Sequence, residues 1–165
     1  GDLPPLRDIA SWLDLRPLSL EPQALARVEI VPTEGRAYIL ARESADLPWR
    51  IAAPALAPLS QSVVRAAAER ITTLSPIDVQ PAPAIQGAVV ARVRATAFEG
   101  VVLDAEIIDA DQRRWVKLVA RAGAPEQEGA ALAINNRAAP WAYGLSAQEV
   151  HALAPPLSSL VPGAN

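Results

Sequence analysis

The amino-acid sequence predicts an α+β fold of two β-meander-plus-helix units, with antiparallel sheets and with helices packed on one face. Three observations indicate this class. Several stretches alternate apolar and polar residues, two capped segments have helical apolar spacing, and those two segments repeat the same residue pattern. The chain of 165 residues is long enough for one ordinary domain. We therefore expect a first half at residues 1–80 and a second at 81–165, together forming one compact two-lobed domain.

In the first half, apolar residues at helical spacing predict a short helix over residues 6–15. Alternation then predicts strands at 25–31 and 36–42, which a turn at Gly35 joins into a hairpin because glycine readily adopts positive φ. A further short strand is expected at 49–51. Residues 60–74 form the clearest helix, with Ser60 as N-cap and one apolar stripe. The Pro- and Ala-rich residues 76–86 lack periodicity and are interpreted as a linker.

The second half opens with three predicted strands, at residues 89–96, 101–109 and 115–121, which would form an antiparallel meander. A short helix is expected within residues 125–136. The last predicted helix covers residues 146–160, where Ser146 and Glu149 have the spacing of a capping box. Pro155 and Pro156 should kink or break this helix, because proline lacks the backbone donor and its ring clashes with the preceding turn.

The two predicted helices share a pattern at a constant offset of 86 residues, counted from Ser60 to Ser146. The matched pairs are Leu59 with Leu145, Ser60 with Ser146, Val64 with Val150, Ala67 with Leu153, Ile71 with Leu157, Leu74 with Leu160, and Pro76 with Pro162. Each helix also follows a Pro-Trp pair. We infer an internal duplication of one meander-plus-helix unit.

Composition excludes several classes of function. A chain without cysteine has no disulfide, thiolate metal site or cysteine nucleophile, and a single histidine excludes a multi-histidine metal centre within one chain. A formal net charge of −3 argues against a nucleic-acid partner, which requires a concentrated basic surface. No cofactor is expected.

The residues that could carry chemistry are few. Asp104, Glu106, Asp109 and Asp111 form the densest acidic run, which could bind a hard cation or could be a solvated strand and turn. Two arginines follow this run at once, and no calcium-loop pattern is present, so we favour the solvated strand. His151 is interpreted as a partly exposed helix residue and not as a general base.

Four tryptophans stand out in a chain with 4% aromatic residues. Such residues usually anchor a core of small side chains, and Trp49 and Trp141 are the strongest core candidates. The alternative is that aromatic side chains line a groove for a ligand or a partner. That groove would consist of Trp115, Trp141 and Tyr143.

Short motifs spread over most of the chain resemble the bacterial domain family DUF4340, a domain of unknown function. They are ARVEI (26–30), AYILAR (37–42), WRI (49–51), IDV (77–79), RWVKL (114–118), INN (134–136) and WAY (141–143). The pair Pro155-Pro156 departs from the family's unbroken terminal helix, which puts the surface role of that helix in doubt.

The resemblance implies a non-catalytic extracytoplasmic domain, periplasmic and tethered to the inner membrane by a segment outside this chain. It further implies an accessory role with the subunits of a gliding-motility-type ABC transporter. The absence of an initial methionine is interpreted as the loss of such an N-terminal anchor. Two alternatives stay open: a small-ligand carrier, and a metal-dependent hydrolase that uses the acidic run and His151.

Overall fold

The computed structural model describes residues 20–162, so the predicted helix at 6–15 and Trp12 lie outside the described residues. The strands are β1 Leu25–Val31, β2 Tyr38–Ala41, β3 Arg50–Ala53, β4 Asp78–Pro81, β5 Ala88–Ala97, β6 Val101–Ala110, β7 Arg113–Ala122 and β8 Trp141–Leu145. The α-helices are α1 Gln61–Glu69, α2 Glu128–Ala138 and α3 Ala147–Leu153. Every strand that alternation predicts is present, with small shifts at its ends.

The eight strands form one antiparallel sheet in the order β3-β2-β1-β5-β6-β7-β8-β4. The α+β class and the antiparallel pairing are thus confirmed. Strands from both predicted halves share this sheet through the β1–β5 pair. The predicted boundary between residues 80 and 81 falls within β4, which pairs with β8 at the far edge of the sheet.

The sheet buries alternate residues, as half-buried strands do. Along β6, for example, Leu103, Ala105 and Ile107 are buried, and they join the apolar residues of α1, α2 and α3 in one main core. The side chains between them point to the opposite face. There a smaller second cluster forms at one end of the sheet, consisting of Ile85, Ile108, Ala110, Trp115 and Ala142.

Both helix N-caps that the sequence predicts are confirmed. The Ser60 hydroxyl accepts from the Val63 amide at 3.2 Å, and the Ser146 hydroxyl accepts from the Glu149 amide at 3.1 Å. The helix ends differ from the predictions. After α1 the chain continues to Thr73 as a 3₁₀ turn. The last helix ends at Leu153 and not at residue 160, because the two prolines interrupt it, which confirms the predicted break.

The predicted capping box at the start of α3 is only half formed. Its second half would need the Glu149 carboxylate to bind back to the N-cap. Instead Oε1 accepts from Arg70 Nε at 2.9 Å and from the Ser75 amide at 3.1 Å, while Oε2 accepts from Arg70 Nη2. The carboxylate therefore links α3 to the turn after α1, a contact between distant parts of the chain.

Residues 76–86 are not an unstructured linker, so that interpretation is wrong. They contain β4 and a 3₁₀ turn at Ala82–Ala84. The strand pairs with β8 from Asp78 opposite Gly144 to Pro81 opposite Trp141. Strand β4 ends at Pro81, which has no backbone N–H to donate. The edge of the sheet tolerates this proline because an edge strand has one side without ladder partners.

Helix α2 protects an incomplete part of the sheet. Strand β8 pairs with β7 only from Arg114 to Lys117, so the later part of β7 pairs with β6 on one side and has no strand on the other. Asn135 on α2 fills the gap: its amide accepts from the Ala120 N–H at 2.7 Å and donates to the Ala120 carbonyl at 2.8 Å. The side chain thus replaces the hydrogen bonds of a missing strand residue.

Two buried polar side chains, Tyr38 and Arg42, stabilise the β1–β2 hairpin through hydrogen bonds. The Tyr38 hydroxyl donates to the Pro155 carbonyl at 2.6 Å, and burial raises the pKa of Tyr38 far above its usual range. Arg42 donates to the Leu25 carbonyl at 2.9 Å and lies 4.5 Å from the centre of the Trp49 ring. Desolvation lowers the pKa of Arg42. The Tyr38 bond joins the hairpin to the segment after α3, and Arg42 joins the end of β2 to the start of β1 and to Trp49.

Candidate functional site: the open face of the sheet

An extended polar surface lies on the sheet side opposite the main core, here called the open face. It is formed by alternate residues of β1, β5, β6 and β7, whose sequence neighbours are buried. Its members are Arg27, Glu29, Val31, Arg92, Arg94, Thr96, Val102, Asp104, Glu106, Lys117, Val119 and Arg121.

The strand register places oppositely charged residues of the open face next to each other, so that they form cross-strand ion pairs. Arg94 lies opposite Asp104, with 2.6 Å between Nε and Oδ1, and Arg92 lies opposite Glu106, with 3.7 Å between Nη2 and Oε2. From the other side, Arg121 Nε lies 3.2 Å from Asp104 Oδ2. The hydrogen bond with Asp104 raises the pKa of Arg94. The Asp104 carboxylate is therefore held between two guanidinium groups.

The open face carries more positive than negative charge. Its cations are Arg27, Arg92, Arg94, Lys117 and Arg121, and its anions are Glu29, Asp104 and Glu106, which leaves a surplus of two positive charges. The whole chain has a formal net charge of −3. The surplus is therefore local, and it would attract an anionic surface within a Debye length of about 8–10 Å.

The centre of the open face is a shallow concavity of about 560 Å³. Val31 and Val119 lie on its lining and are 46% and 50% exposed. Between them lie the paired side chains of Arg92, Arg94 and Asp104. The surface therefore offers aliphatic contact beside arginine side chains, and arginine is enriched where proteins bind other proteins.

The acidic run of the sequence is divided by the structure. Asp104 and Glu106 share the open face, as predicted, and both contact arginines. Asp109 lies 3.9 Å from Arg114, and Asp111 occupies the β6–β7 turn. Within residues 20–162 no group of three or more His, Cys, Asp or Glu side chains could hold a metal ion.

The arginine half of these pairs escaped the sequence interpretation, which considered only the acids. A signal was present, since Arg92 and Arg94 alternate with buried residues in the strand before the one that carries Asp104 and Glu106. Two antiparallel strands joined by a short turn place such alternating sets on the same face.

The three residues predicted to line a groove lie on one strand pair but not on one surface. Trp115 pairs with Gly144 and is buried in the second cluster, while Tyr143 projects to the opposite face, into the main core. Gly144 leaves room for the Trp115 ring, since a Cβ there would lie 3.3 Å from the ring. Burial raises the pKa of Tyr143.

Trp141 is 42% exposed, so its prediction as a core residue is wrong. Trp49 is buried, as predicted.

His151 is exposed on α3 and does not belong to the open face. It lines a separate cleft together with Arg114, at the end of the sheet. The acids Asp104 and Glu106 line the central concavity and not this cleft. The structure thus places His151 apart from the acids that the hydrolase alternative would combine with it.

None of the helices within residues 20–162 has the length and apolar character needed to cross a bilayer. No family model, no curated protein and no solved structure matches the chain.

Proposed function

We propose that the chain is a non-catalytic, extracytoplasmic interaction domain of a membrane-anchored protein and an accessory component of an ABC-type transport system. The observation that supports a binding role most directly is the open face, with its surplus of positive charge and its exposed valines. The partner surface that fits it is an acidic protein surface with aliphatic residues among its carboxylates.

The ion pairs of the open face are suited to exchange. Arg92, Arg94 and Arg121 are each at least half exposed, and exposed ion pairs contribute only about 0–1 kcal/mol to stability. Each guanidinium can therefore leave its acid and bind a partner carboxylate in a bidentate manner at little cost to the fold. A fully buried pair would not have this freedom.

The assignment to a transport system depends on the resemblance to the DUF4340 family. The resembling motifs include the strand that carries Lys117, at residues 114–118, and Ile134-Asn135-Asn136, whose central residue binds the edge of β7. On this hypothesis the full-length protein carries a membrane helix before the present chain, and the domain is periplasmic and tethered to the inner membrane.

The proposal includes the internal duplication, with two meander-plus-helix units whose helices pack on one face. It is supported by the two serine N-caps at an offset of 86 residues and by the contact between α1 and α3. The unit β1–β2–β3 and the unit β5–β6–β7 lie side by side, joined through β1 and β5.

Site-specific photo-crosslinking in cells tests the proposal. A photoreactive amino acid at Val119 on the open face should crosslink the full-length protein to a transporter subunit. The same group at Leu132, which is 60% exposed on α2, is the matched control and should not. Equal products from both positions, or a transporter that assembles and transports normally when the gene is deleted, would exclude the proposed role.

A further inference from the structure

A cleft of about 420 Å³ lies at the end of the sheet, where the β6–β7 turn, the β1–β2 turn and α3 meet. It is distinct from the open face, because no residue lines both. Its lining residues divide into a polar set near the mouth and an apolar set. The polar set comprises Thr33, Gln112, Arg113, Arg114 and His151.

Few of the polar side chains that line the cleft have a partner in the part of the chain that the structure describes. Thr33, Gln112 and His151 make no side-chain hydrogen bond or ion pair within residues 20–162, and Arg114 has only the 3.9 Å contact with Asp109. Arg113 differs, since its Nη1 lies 2.9 Å from Asp78 Oδ2. None of the residues within 20–162 that line the cleft is acidic. Within residues 20–162, several hydrogen-bond donors without partners and one weakly paired cation, Arg114, therefore line the same cleft. The open face differs, because its acids pair with its arginines.

The backbone holds Gln112 at the mouth in a conformation that its residue type disfavours. Asp111 and Gln112 have φ of 55° and 63° and form the two-residue β6–β7 turn. Turns of this kind prefer Asn, Asp or Gly at the first position, which Asp111 satisfies, and Gly at the second, where another side chain costs about 1–2 kcal/mol. The side-chain amide of Gln112 thus lies at the mouth of the cleft although glycine would suit its backbone conformation better.

The other part of the lining is apolar and rigid. Leu145, Val150 and Ala154 are buried members of the main core, and Pro156 follows the break after α3. An aliphatic group placed against them would contact side chains that are already ordered, so little conformational entropy would be lost on binding.

We propose that this cleft binds a small organic anion, a carboxylate or phosphate monoester with a short aliphatic body. Arg114 is the counter-ion, Gln112, Thr33 and His151 offer hydrogen bonds to the anionic group, and Leu145, Val150 and Ala154 contact the aliphatic body. Arg114 suits this role because the planar guanidinium binds carboxylate and phosphate oxygens in pairs. The site does not depend on the proposed transport role and lies on another surface.

Titration of the ¹⁵N-labelled chain with hexanoate, followed by NMR, tests the site. Saturable shifts are expected at the amides of Gln112, Arg114, Val150 and His151, with a dissociation constant of about 1 mM or lower. Arg114→Gln should weaken binding by about 10-fold or more, because a hydrogen bond to a charged group is lost. Arg121→Gln, on the open face, is the matched control and should bind as the wild type does.

Two further comparisons separate binding from folding and fix the ligand class. Gln112→Gly suits the turn better and should leave the fold intact while weakening hexanoate binding. Methyl hexanoate should not bind, and the ranking of hexanoate against hexyl phosphate identifies the preferred anion. Absence of saturable shifts with both anions, equal binding by the ester, or identical affinities for Arg114→Gln and Arg121→Gln would overturn the site. Inorganic phosphate binding as tightly as hexyl phosphate would overturn the role of the apolar lining.

Discussion

Two regions of the molecule use the same ionic groups in different surroundings. Between α3 and the turn after α1, the Glu149 carboxylate binds Arg70 twice and the Ser75 amide once, and only 7% of its side chain is exposed. The hydrogen bond with Glu149 raises the pKa of Arg70. On the open face, Asp104 also binds two guanidinium nitrogens, but 31% of its side chain is exposed and its arginines are about half exposed.

The difference teaches that burial, and not the number of contacts, decides what an ion pair does for the protein. A buried carboxylate must keep its partners, because water cannot replace them. An exposed carboxylate exchanges between its arginines and water at almost no cost. The first arrangement joins two distant segments, and the second leaves charge available to a partner.

The largest expected effect is at Glu149. Glu149→Ala removes the acceptor for Arg70 and for the Ser75 amide, and should lower the free energy of unfolding by about 3 kcal/mol. This value is near the lower bound for breaking a buried ion pair, because Arg70 is partly exposed. Urea denaturation measures the change. Glu106→Ala, which removes the same residue type from the open face, is the control, with a loss below about 1 kcal/mol. Equal losses would contradict the comparison.

A neutral pair of partly buried hydrogen bonds sharpens the comparison. Asn135→Ala leaves the N–H and C=O of Ala120 without partners and should cost about 2 kcal/mol. The neighbouring residue supplies the control, since Asn136 is exposed on the same helix and Asn136→Ala should change stability by less than about 0.5 kcal/mol. Amide hydrogen exchange at Ala120 should accelerate in the first variant only.

Tyr38 adds a pH-dependent case of burial. Its folded-state pKa is raised because burial disfavours the phenolate, so its stabilising effect is complete below the unfolded pKa of about 10 and declines as pH rises above it. Tyr38→Phe should cost about 1 kcal/mol at neutral pH through loss of the bond to Pro155. The same variant should lose less stability than the wild type between neutral and strongly alkaline pH. Thermal unfolding across that range measures both effects, and parallel pH profiles would contradict the assignment.

The smallest expected effect is at Asp104, although this residue has the most arginine contacts on the open face. Asp104→Ala should change the free energy of unfolding by only about 0.5 kcal/mol, and added salt should reduce that difference further. Denaturation at low and high salt provides the measurement. A loss above about 2 kcal/mol would show that the open face is a structural network and would weaken its proposed role in binding.

Local features of the fold could be predicted well. The strands of the β5–β6–β7 meander follow from alternation, the starts of α1 and α3 from Ser60 and Ser146, and the end of α3 from two adjacent prolines. Each of these features depends on residues close together in the chain. The acids of the open face could be predicted to share a face for the same reason.

Features that depend on distant residues could not be predicted. Strand β4 was missed because its residues carry no periodic pattern and its stability comes from β8, at least 60 positions later. Trp141 was expected in the core because, like Trp49, it belongs to a Pro-Trp pair ahead of a repeated helix, yet its position near the sheet edge leaves it exposed. The cleft was missed since its polar residues come from three separate elements.

By itself, the sequence determined the class of fold, the alternation that gives the sheet a buried and an open face, and the caps and breaks of the helices. These depend on short-range sterics, hydrogen bonding and periodicity, which adjacent residues decide. Only the tertiary structure decided that all strands join in one sheet, that Glu149 binds Arg70 instead of its own helix end, and that Asn135 completes β7. Such contacts are decided by the competition among distant groups for the same donors and the same buried space.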